Sequence, residues 1–122
     1  MPTISTTLTF IEDPGHGWLR VPLADVAALG IQDEITAYSF IDNDYAFLEE
    51  DCDYGTFMNA CQAQHVPVPD MKTEYVSYFD RSQASFTPVR FQERLASAAV
   101  VRSSRIRQML HAGARGLGRG PA

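Results

Sequence analysis

The position of the aromatic residues limits where this chain can build a core. All thirteen aromatic side chains, seven Phe, five Tyr and one Trp, lie between Phe10 and Phe91 of the 122 residues. A chain of this length and 45% hydrophobic content can bury about two-thirds of its unfolded surface as one domain. We therefore expect a single core that ends near residue 91, with the remaining residues attached in another way.

Charge is also divided unevenly along the chain. Residues 1–80 hold fourteen of the fifteen acidic residues but only two basic ones, Arg20 and Lys72. Residues 81–122 hold eight arginines and one acid, Glu93. This pattern predicts an acidic body and a C-terminal basic segment, and it favours a charged partner for one or both. The pI near 5.0 argues against a dedicated nucleic-acid-binding domain, which is typically basic.

Alternating polarity and turn-forming residues predict two β-hairpins. Leu8 and Phe10 fall on one face of the first strand, and the Pro14-Gly15 pair that follows is typical of a type II turn. A second pair of alternating segments flanks the turn-forming run 42–44. The predicted strands are 4–11 and 17–22 for the first hairpin, and 35–41 and 45–48 for the second.

Helical spacing is found in three places. Leu23–Leu29 follows Pro22 and precedes Gly30, which suits the left-handed position after a helix. A second helix is predicted at 54–64, with Asp51 or Asp53 as its N-cap. The remaining predicted elements are strands at 73–79 and 85–89 and a basic amphipathic helix at 90–111.

These elements predict an α+β fold. The two hairpins form an antiparallel sheet, the helices pack on one face of it, and the C-terminal helix is long. We expect residues 1–111 to form the domain and the Gly- and Arg-rich residues 112–122 to form a flexible tail.

The acidic run 49–53 is the first candidate site. Its four carboxylates can mark the start of a helix, form a surface that meets a protein, or bind a metal. The calcium-loop pattern fails, because a loop that starts at Asp51 places Thr56 at the required glycine and one that starts at Asp42 places Phe47 there. No metal site is therefore predicted. The acidic residues proposed to contact a partner are Glu12, Asp13, Asp42, Asp44, Glu49, Glu50, Asp51 and Asp53.

His16 lies between two glycines, so we expect an exposed turn in which His16 and Trp18 could form a contact surface. Histidine can serve as an acid, a base or a metal ligand near neutral pH. Catalysis needs convergent groups, however, and the neighbouring sequence offers only Glu12 and Asp13. No catalytic residue is predicted, and Trp18 is expected to belong to the core rather than to a ligand platform.

The predicted helix at 90–111 carries most of the arginines. On a helical wheel Arg102 falls within the apolar stripe, where a charge is costly unless it reaches solvent or a carboxylate. Either the helix breaks near Val100 and Val101, or Arg102 meets a carboxylate. The second case favours docking of the helix on the acidic body or on a second copy of the chain, which would make a homodimer. The alternative is that the helix binds nucleic acid, although it lacks aromatic residues that stack on bases. The arginines concerned are Arg90, Arg94, Arg102, Arg105 and Arg107.

The string EDPGHGWLRVP, followed by LGIQDEITAYSF and by FLEEDCD ahead of a helix, resembles a family of small uncharacterised accessory proteins of phages, plasmids and other mobile elements of bacteria. The resemblance covers residues 8–64. It implies no catalytic residue. It does imply a genomic setting in which proteins often block host defence or regulate transcription.

We therefore expect a non-enzymatic accessory protein that binds a protein partner through its acidic surface and uses no cofactor. The most specific version of this expectation is an inhibitor of a host nucleic-acid-binding defence complex, of the anti-CRISPR type. The alternatives are a nucleic-acid-binding regulator and a small metal-dependent hydrolase that uses His16. We expect a cytoplasmic protein that does not enter a membrane, because no apolar stretch is long enough to span one and because Cys52 and Cys61 are not placed to pair.

Overall fold

A computed structural model describes residues 2–98, which form a six-stranded sheet and three helices. The sheet has the order β5-β1-β2-β4-β3-β6 once its elements are numbered along the chain. The strands are β1 Thr7–Glu12, β2 Gly17–Pro22, β3 Phe40–Asp42, β4 Tyr45–Glu49, β5 Asp70–Tyr75 and β6 Ala84–Ser85. The helices are α1 Leu23–Leu29, α2 Asp53–Ala63 and α3, which is described over 88–98.

The first predicted hairpin is confirmed, with β1 and β2 antiparallel. Its turn is not of type II, because Gly30 is the only glycine within residues 2–98 whose φ is positive. Instead, Oδ1 of Asp13 accepts hydrogen bonds from the backbone N–H groups of Gly15 (3.0 Å) and His16 (2.8 Å). An aspartate that binds the backbone two and three residues ahead closes a turn without needing a left-handed glycine.

The second hairpin is also confirmed, but its first strand is shorter than predicted. β3 begins only at Phe40, and the β3–β4 turn contains Asn43 at a positive φ of 53°. The preceding residues 36–39 form a turn because Thr36 and Ser39 hydrogen-bond to Asp53 of α2. Side-chain hydrogen bonds of this kind compete with a strand ladder for the backbone.

The two hairpins form an antiparallel sheet, as predicted, because β2 pairs antiparallel with β4. The complete sheet is mixed, however, so the prediction fails for its edge strand β5. β5 runs parallel to β1, with pairs from Thr7 and Asp70 to Glu12 and Tyr75. β5 reaches this edge after a crossover that contains α2, and a crossover connection of that length permits parallel pairing. At the other edge, β6 pairs antiparallel with β3.

All three helices contribute side chains to one core on the inner face of the sheet. Leu19 of β2 and Leu48 of β4 point to this face and are fully buried. Val26, Phe57 and Phe91 of α1, α2 and α3 pack into the same cluster. Within residues 2–98, the prediction that the helices pack on one face of the sheet is therefore confirmed. The other face of the sheet, which we call the outer face, is not covered by these helices.

The helix ends match the sequence only in part. α1 ends at Gly30 with φ 68°, as predicted. The N-cap of α2 is Cys52, without a side-chain cap bond, so the prediction of Asp51 or Asp53 is wrong. The rest of the predicted C-terminal helix, to residue 111, and the predicted tail 112–122 lie outside the described residues.

The two cysteines differ in their burial. Cys61 is buried in the core, whereas Cys52 is exposed, and both thiols are free, as predicted. Within residues 2–98, no helix has the length and apolar character needed to cross a bilayer.

Candidate functional site

The outer face of the sheet carries a second, smaller cluster of buried side chains. Trp18 and Phe47 point to this face because they alternate with Leu19 and Leu48 along their strands. The loop after β5 covers them with Phe79, whose ring stacks on Trp18 at a centroid distance of 4.0 Å and an angle of 17°. Trp18 is only 2% exposed, so it belongs to the core, as expected, and its alternative assignment to an exposed turn is wrong. His16 is exposed in that turn, as predicted.

An open cavity of about 450 Å³ lies beside Trp18, and we call it the acidic–aromatic cavity. It is bounded by the β1–β2 turn, the strands β2 to β4, the β4–α2 turn and the loop after β5. Its volume falls within the range of about 300–1,000 Å³ typical of ligand sites. The lining residues are His16, Trp18, Tyr38, Phe40, Glu49, Asp51, Cys52 and Arg81.

Arg81 forms one wall of the cavity. Its guanidinium lies over the Trp18 ring, 5.5 Å from the centroid, and one of its nitrogens is 3.6 Å from Oδ2 of Asp13. The same group contacts Nδ1 of His16, which must accept because a guanidinium can only donate. His16 in turn stacks on Trp18 at 5.7 Å. A cation on an indole face with a carboxylate behind it is a favourable arrangement.

The electrostatics of this wall centre on Asp13. Burial alone would raise the pKa of its carboxyl. Hydrogen bonds from the backbone N–H groups of Gly15, His16 and Phe79, together with the charge of Arg81, outweigh that effect and lower the pKa below its ordinary value of 3.8. Asp13 is therefore ionised at neutral pH and balances the charge of Arg81.

A buried hydrogen-bond network positions the part of the lining that includes Tyr38. Asp53 accepts hydrogen bonds from the backbone N–H of Thr36 (3.1 Å), from its hydroxyl (2.8 Å) and from the hydroxyl of Ser39. The Ser39 hydroxyl also accepts the backbone N–H of Glu49 at 2.9 Å. This network fixes the segment that carries Tyr38, and it ties that segment to the end of β4.

The remaining rim carries two carboxylates beside exposed aromatic surface. Glu49 is the register partner of Trp18 across β2 and β4, and Asp51 follows in the turn. Tyr38 stands 71% exposed at the mouth. Within residues 2–98, Asp13 is the acid that pairs with Arg81 and lies near His16, so neither Glu49 nor Asp51 belongs to an ion pair there. Carboxylates next to aromatic rings are suited to bind a cation.

The acidic residues predicted to contact a partner differ in their burial and in their contacts. Asp53 is 1% exposed, so its prediction as a partner contact is wrong: its carboxylate is used inside the protein. The Asp13 side chain is 7% exposed and faces Arg81. Asp42 lies on another cavity, together with Arg90 and Arg94. Of the other predicted residues, Asp44 is exposed and Glu12 and Glu50 are half-buried.

The two predicted basic residues within 2–98 support local structure. Arg90 donates to the carbonyl of Ser85 at 2.9 Å, and Arg94 donates to the carbonyl of Asn43 at 3.2 Å. The second contact links α3 to the β3–β4 turn. Arg102, Arg105 and Arg107 lie outside the described residues, so the predicted basic surface and homodimer stay predictions.

Four residues of the cavity were not among the predicted site residues: Tyr38, Phe40, Cys52 and Arg81. Tyr38 and Phe40 are two residues apart in a segment predicted to be a strand. Residues with that spacing lie on the same face of a strand, so their proximity could have been predicted. Arg81 had no such signal, because its contact with His16 joins residues far apart in the chain.

Within residues 2–98, no three His, Cys, Asp or Glu side chains are grouped as a metal site would require. Comparisons of the chain with protein-family models, with curated proteins and with solved structures found no match. The resemblance to mobile-element accessory proteins therefore stays a prediction, and function has to be argued from the acidic–aromatic cavity.

Proposed function

We propose that this chain is a non-enzymatic binding protein that contacts a basic segment of a protein partner through the rim of the acidic–aromatic cavity. One observation carries the proposal: the Glu49 and Asp51 carboxylates line the same aromatic cavity without an ion-pair partner within residues 2–98. Asp51 is exposed and Glu49 is half-buried at the cavity.

The charge balance of the cavity supports this function. Arg81 is offset by Asp13, so Glu49 and Asp51 leave a surplus of negative charge at the mouth. The formal charge of the whole chain is −5. A negative patch accelerates encounter with a cationic surface and discriminates against acidic ones, within a Debye length of about 8 Å at physiological salt.

The sharper form of the proposal is an accessory protein of a mobile element that blocks a host nucleic-acid-binding defence complex. The sequence resemblance supports it, and so does the chemistry, because the grooves of such complexes are cationic. In this form the protein competes with nucleic acid for its partner. A regulator that binds nucleic acid through the C-terminal arginines would instead give a mobility shift at low salt.

The geometry of His16 supports the non-enzymatic proposal over the hydrolase alternative. A catalytic histidine is usually oriented by a carboxylate within hydrogen-bond distance. Here Nδ1 of His16 contacts Arg81 and lies 3.7 Å from the nearest Asp13 oxygen, beyond a normal hydrogen bond.

The test is capture of partners from a host bacterial lysate by the full chain and two double variants. Glu49→Gln with Asp51→Asn removes two charges at the cavity. Asp33→Asn with Glu34→Gln removes two exposed charges between α1 and β3 and serves as the matched control.

We expect the wild type and the control to retain the same protein, in a salt-sensitive manner, and the cavity variant to lose it. Equal retention by all three chains would contradict the proposal. A captured protein that is released by added nucleic acid would support the inhibitor form.

A further inference from the structure

We propose that the acidic–aromatic cavity receives one arginine side chain of the partner. This inference rests on the proposed function and specifies the chemistry of the same site. The cavity combines the exposed ring of Tyr38 and the half-buried ring of Phe40 with the carboxylates of Glu49 and Asp51. A planar guanidinium can stack on the former while it donates to the latter.

The protein already binds one guanidinium in this way. Arg81 stacks on Trp18 and faces the Asp13 carboxylate on one wall of the cavity. The rest of the lining offers the same two components, the aromatic rings of Tyr38 and Phe40 and the carboxylates of Glu49 and Asp51. A second arginine would therefore stack on an aromatic ring and pair with a carboxylate, as Arg81 does.

The charges that line the cavity favour a positively charged group as its ligand. Arg81 is balanced by Asp13, and Nδ1 of His16 accepts a hydrogen bond from Arg81. Glu49 and Asp51 remain as two negative charges, so one added cation leaves the cavity closer to neutrality. An anionic group would be repelled, and an apolar side chain would leave both carboxylates covered without partners.

Arginine fits this site better than lysine. The guanidinium has five donors in a planar fork and is more weakly hydrated than an ammonium group, so it can stack and pair at the same time. The ammonium of lysine is a hydrated point charge without a stacking face. The rings of Tyr38 and Phe40 in the cavity lining would therefore favour arginine over lysine.

The molecule contains its own reporter for this site. Trp18 is the only tryptophan of the chain, and it lines the cavity. Its intrinsic fluorescence can be titrated in the full chain with a capped Gly-Gly-Arg-Gly-Gly peptide. The comparison peptides carry lysine or the neutral isostere citrulline in place of arginine.

We expect a saturable change with the arginine peptide, and binding about tenfold weaker with citrulline and about threefold weaker with lysine. The Glu49→Gln, Asp51→Asn variant should lose about tenfold, and Tyr38→Ala about threefold. The Asp33→Asn, Glu34→Gln control should bind like the wild type. Far-UV circular dichroism and thermal unfolding verify that each variant is folded.

Equal responses to arginine and citrulline, or no response at all, would overturn the inference. The chain's own arginines are tested by changing Arg102, Arg105, Arg107, Arg115 and Arg119 to Gln in the full chain. A response that appears only in that variant would make the C-terminal segment the occupant and overturn the assignment to a partner.

Capture from the lysate separates this inference from the proposed function. If the cavity variant loses its captured protein while arginine and citrulline peptides bind alike, the partner-binding function stands and the arginine assignment fails.

Discussion

At the start of α2, the carboxylate of Asp53 binds a distant turn instead of capping its own helix. It accepts hydrogen bonds from Thr36 and Ser39 and is almost completely buried, whereas Asp51, two residues earlier, is exposed. Both acids fit the local pattern of a helix start equally well. The chain alone could not separate them, because the difference is made by residues that precede the second hairpin.

The first prediction concerns this contrast. Asp53→Asn should lower the free energy of unfolding by about 2–4 kcal/mol, because it leaves buried donors without their charged acceptor. Asp51→Asn, the matched control, should remain within about 0.5 kcal/mol of the wild type. Urea unfolding measures both. Equal stabilities would show that the Asp53 network does not hold the fold.

Among the elements, those set by local signals were predicted and those set by distant pairing were not. Both hairpins and α1 follow from alternation, turn residues and the position of Gly30. The parallel addition of β5 to β1 has no local signature, because its register is decided by inner-face packing such as that of Met71. The cavity was missed for the same reason: its walls come from separate elements.

The β1–β2 turn leads to a prediction about acid stability. The pKa of Asp13 is lowered in the folded state, so its contribution to stability is complete above the ordinary value of 3.8 and is lost as pH falls below it. Asp13→Asn should therefore reduce the melting temperature at neutral pH and weaken the loss of stability on acidification.

Some acid sensitivity should persist in the Asp13→Asn variant. The Ser82 hydroxyl and backbone N–H lower the pKa of Asp80 in the neighbouring loop, although burial opposes them. Melting temperatures recorded from neutral pH to below 3.8 provide the comparison. An acid-induced loss as steep as that of the wild type would contradict the role of Asp13.

At the scale of the whole molecule, the sheet separates two environments. The inner face holds the main core with all three helices, and the outer face holds the small Trp18 cluster and the acidic–aromatic cavity. Each face has one cysteine near it, Cys61 in the core and Cys52 at the cavity. The two thiols can therefore report on the two environments independently.

We predict that a water-soluble disulfide reagent modifies Cys52 rapidly in the native protein and Cys61 only on unfolding. Burial, and then the nearby Asp25 carboxylate, raise the pKa of the Cys61 thiol, so little thiolate is available. The count of reactive thiols with and without denaturant is the measurement, with Cys52→Ser as control. Rapid native-state labelling of Cys61 in that variant would contradict the core described above.

The parallel pairing of β5 with β1 affects how the chain can fold while it is being synthesised. Thr7–Glu12 leaves the ribosome early, but its second neighbour, Asp70–Tyr75, is synthesised much later. Closing that long loop costs chain entropy before the pairing stabilises anything, so folding should wait for it. Until then β1 has an open hydrogen-bonding edge, and edges of that kind recruit other strands. The nascent chain is therefore the form most exposed to wrong association.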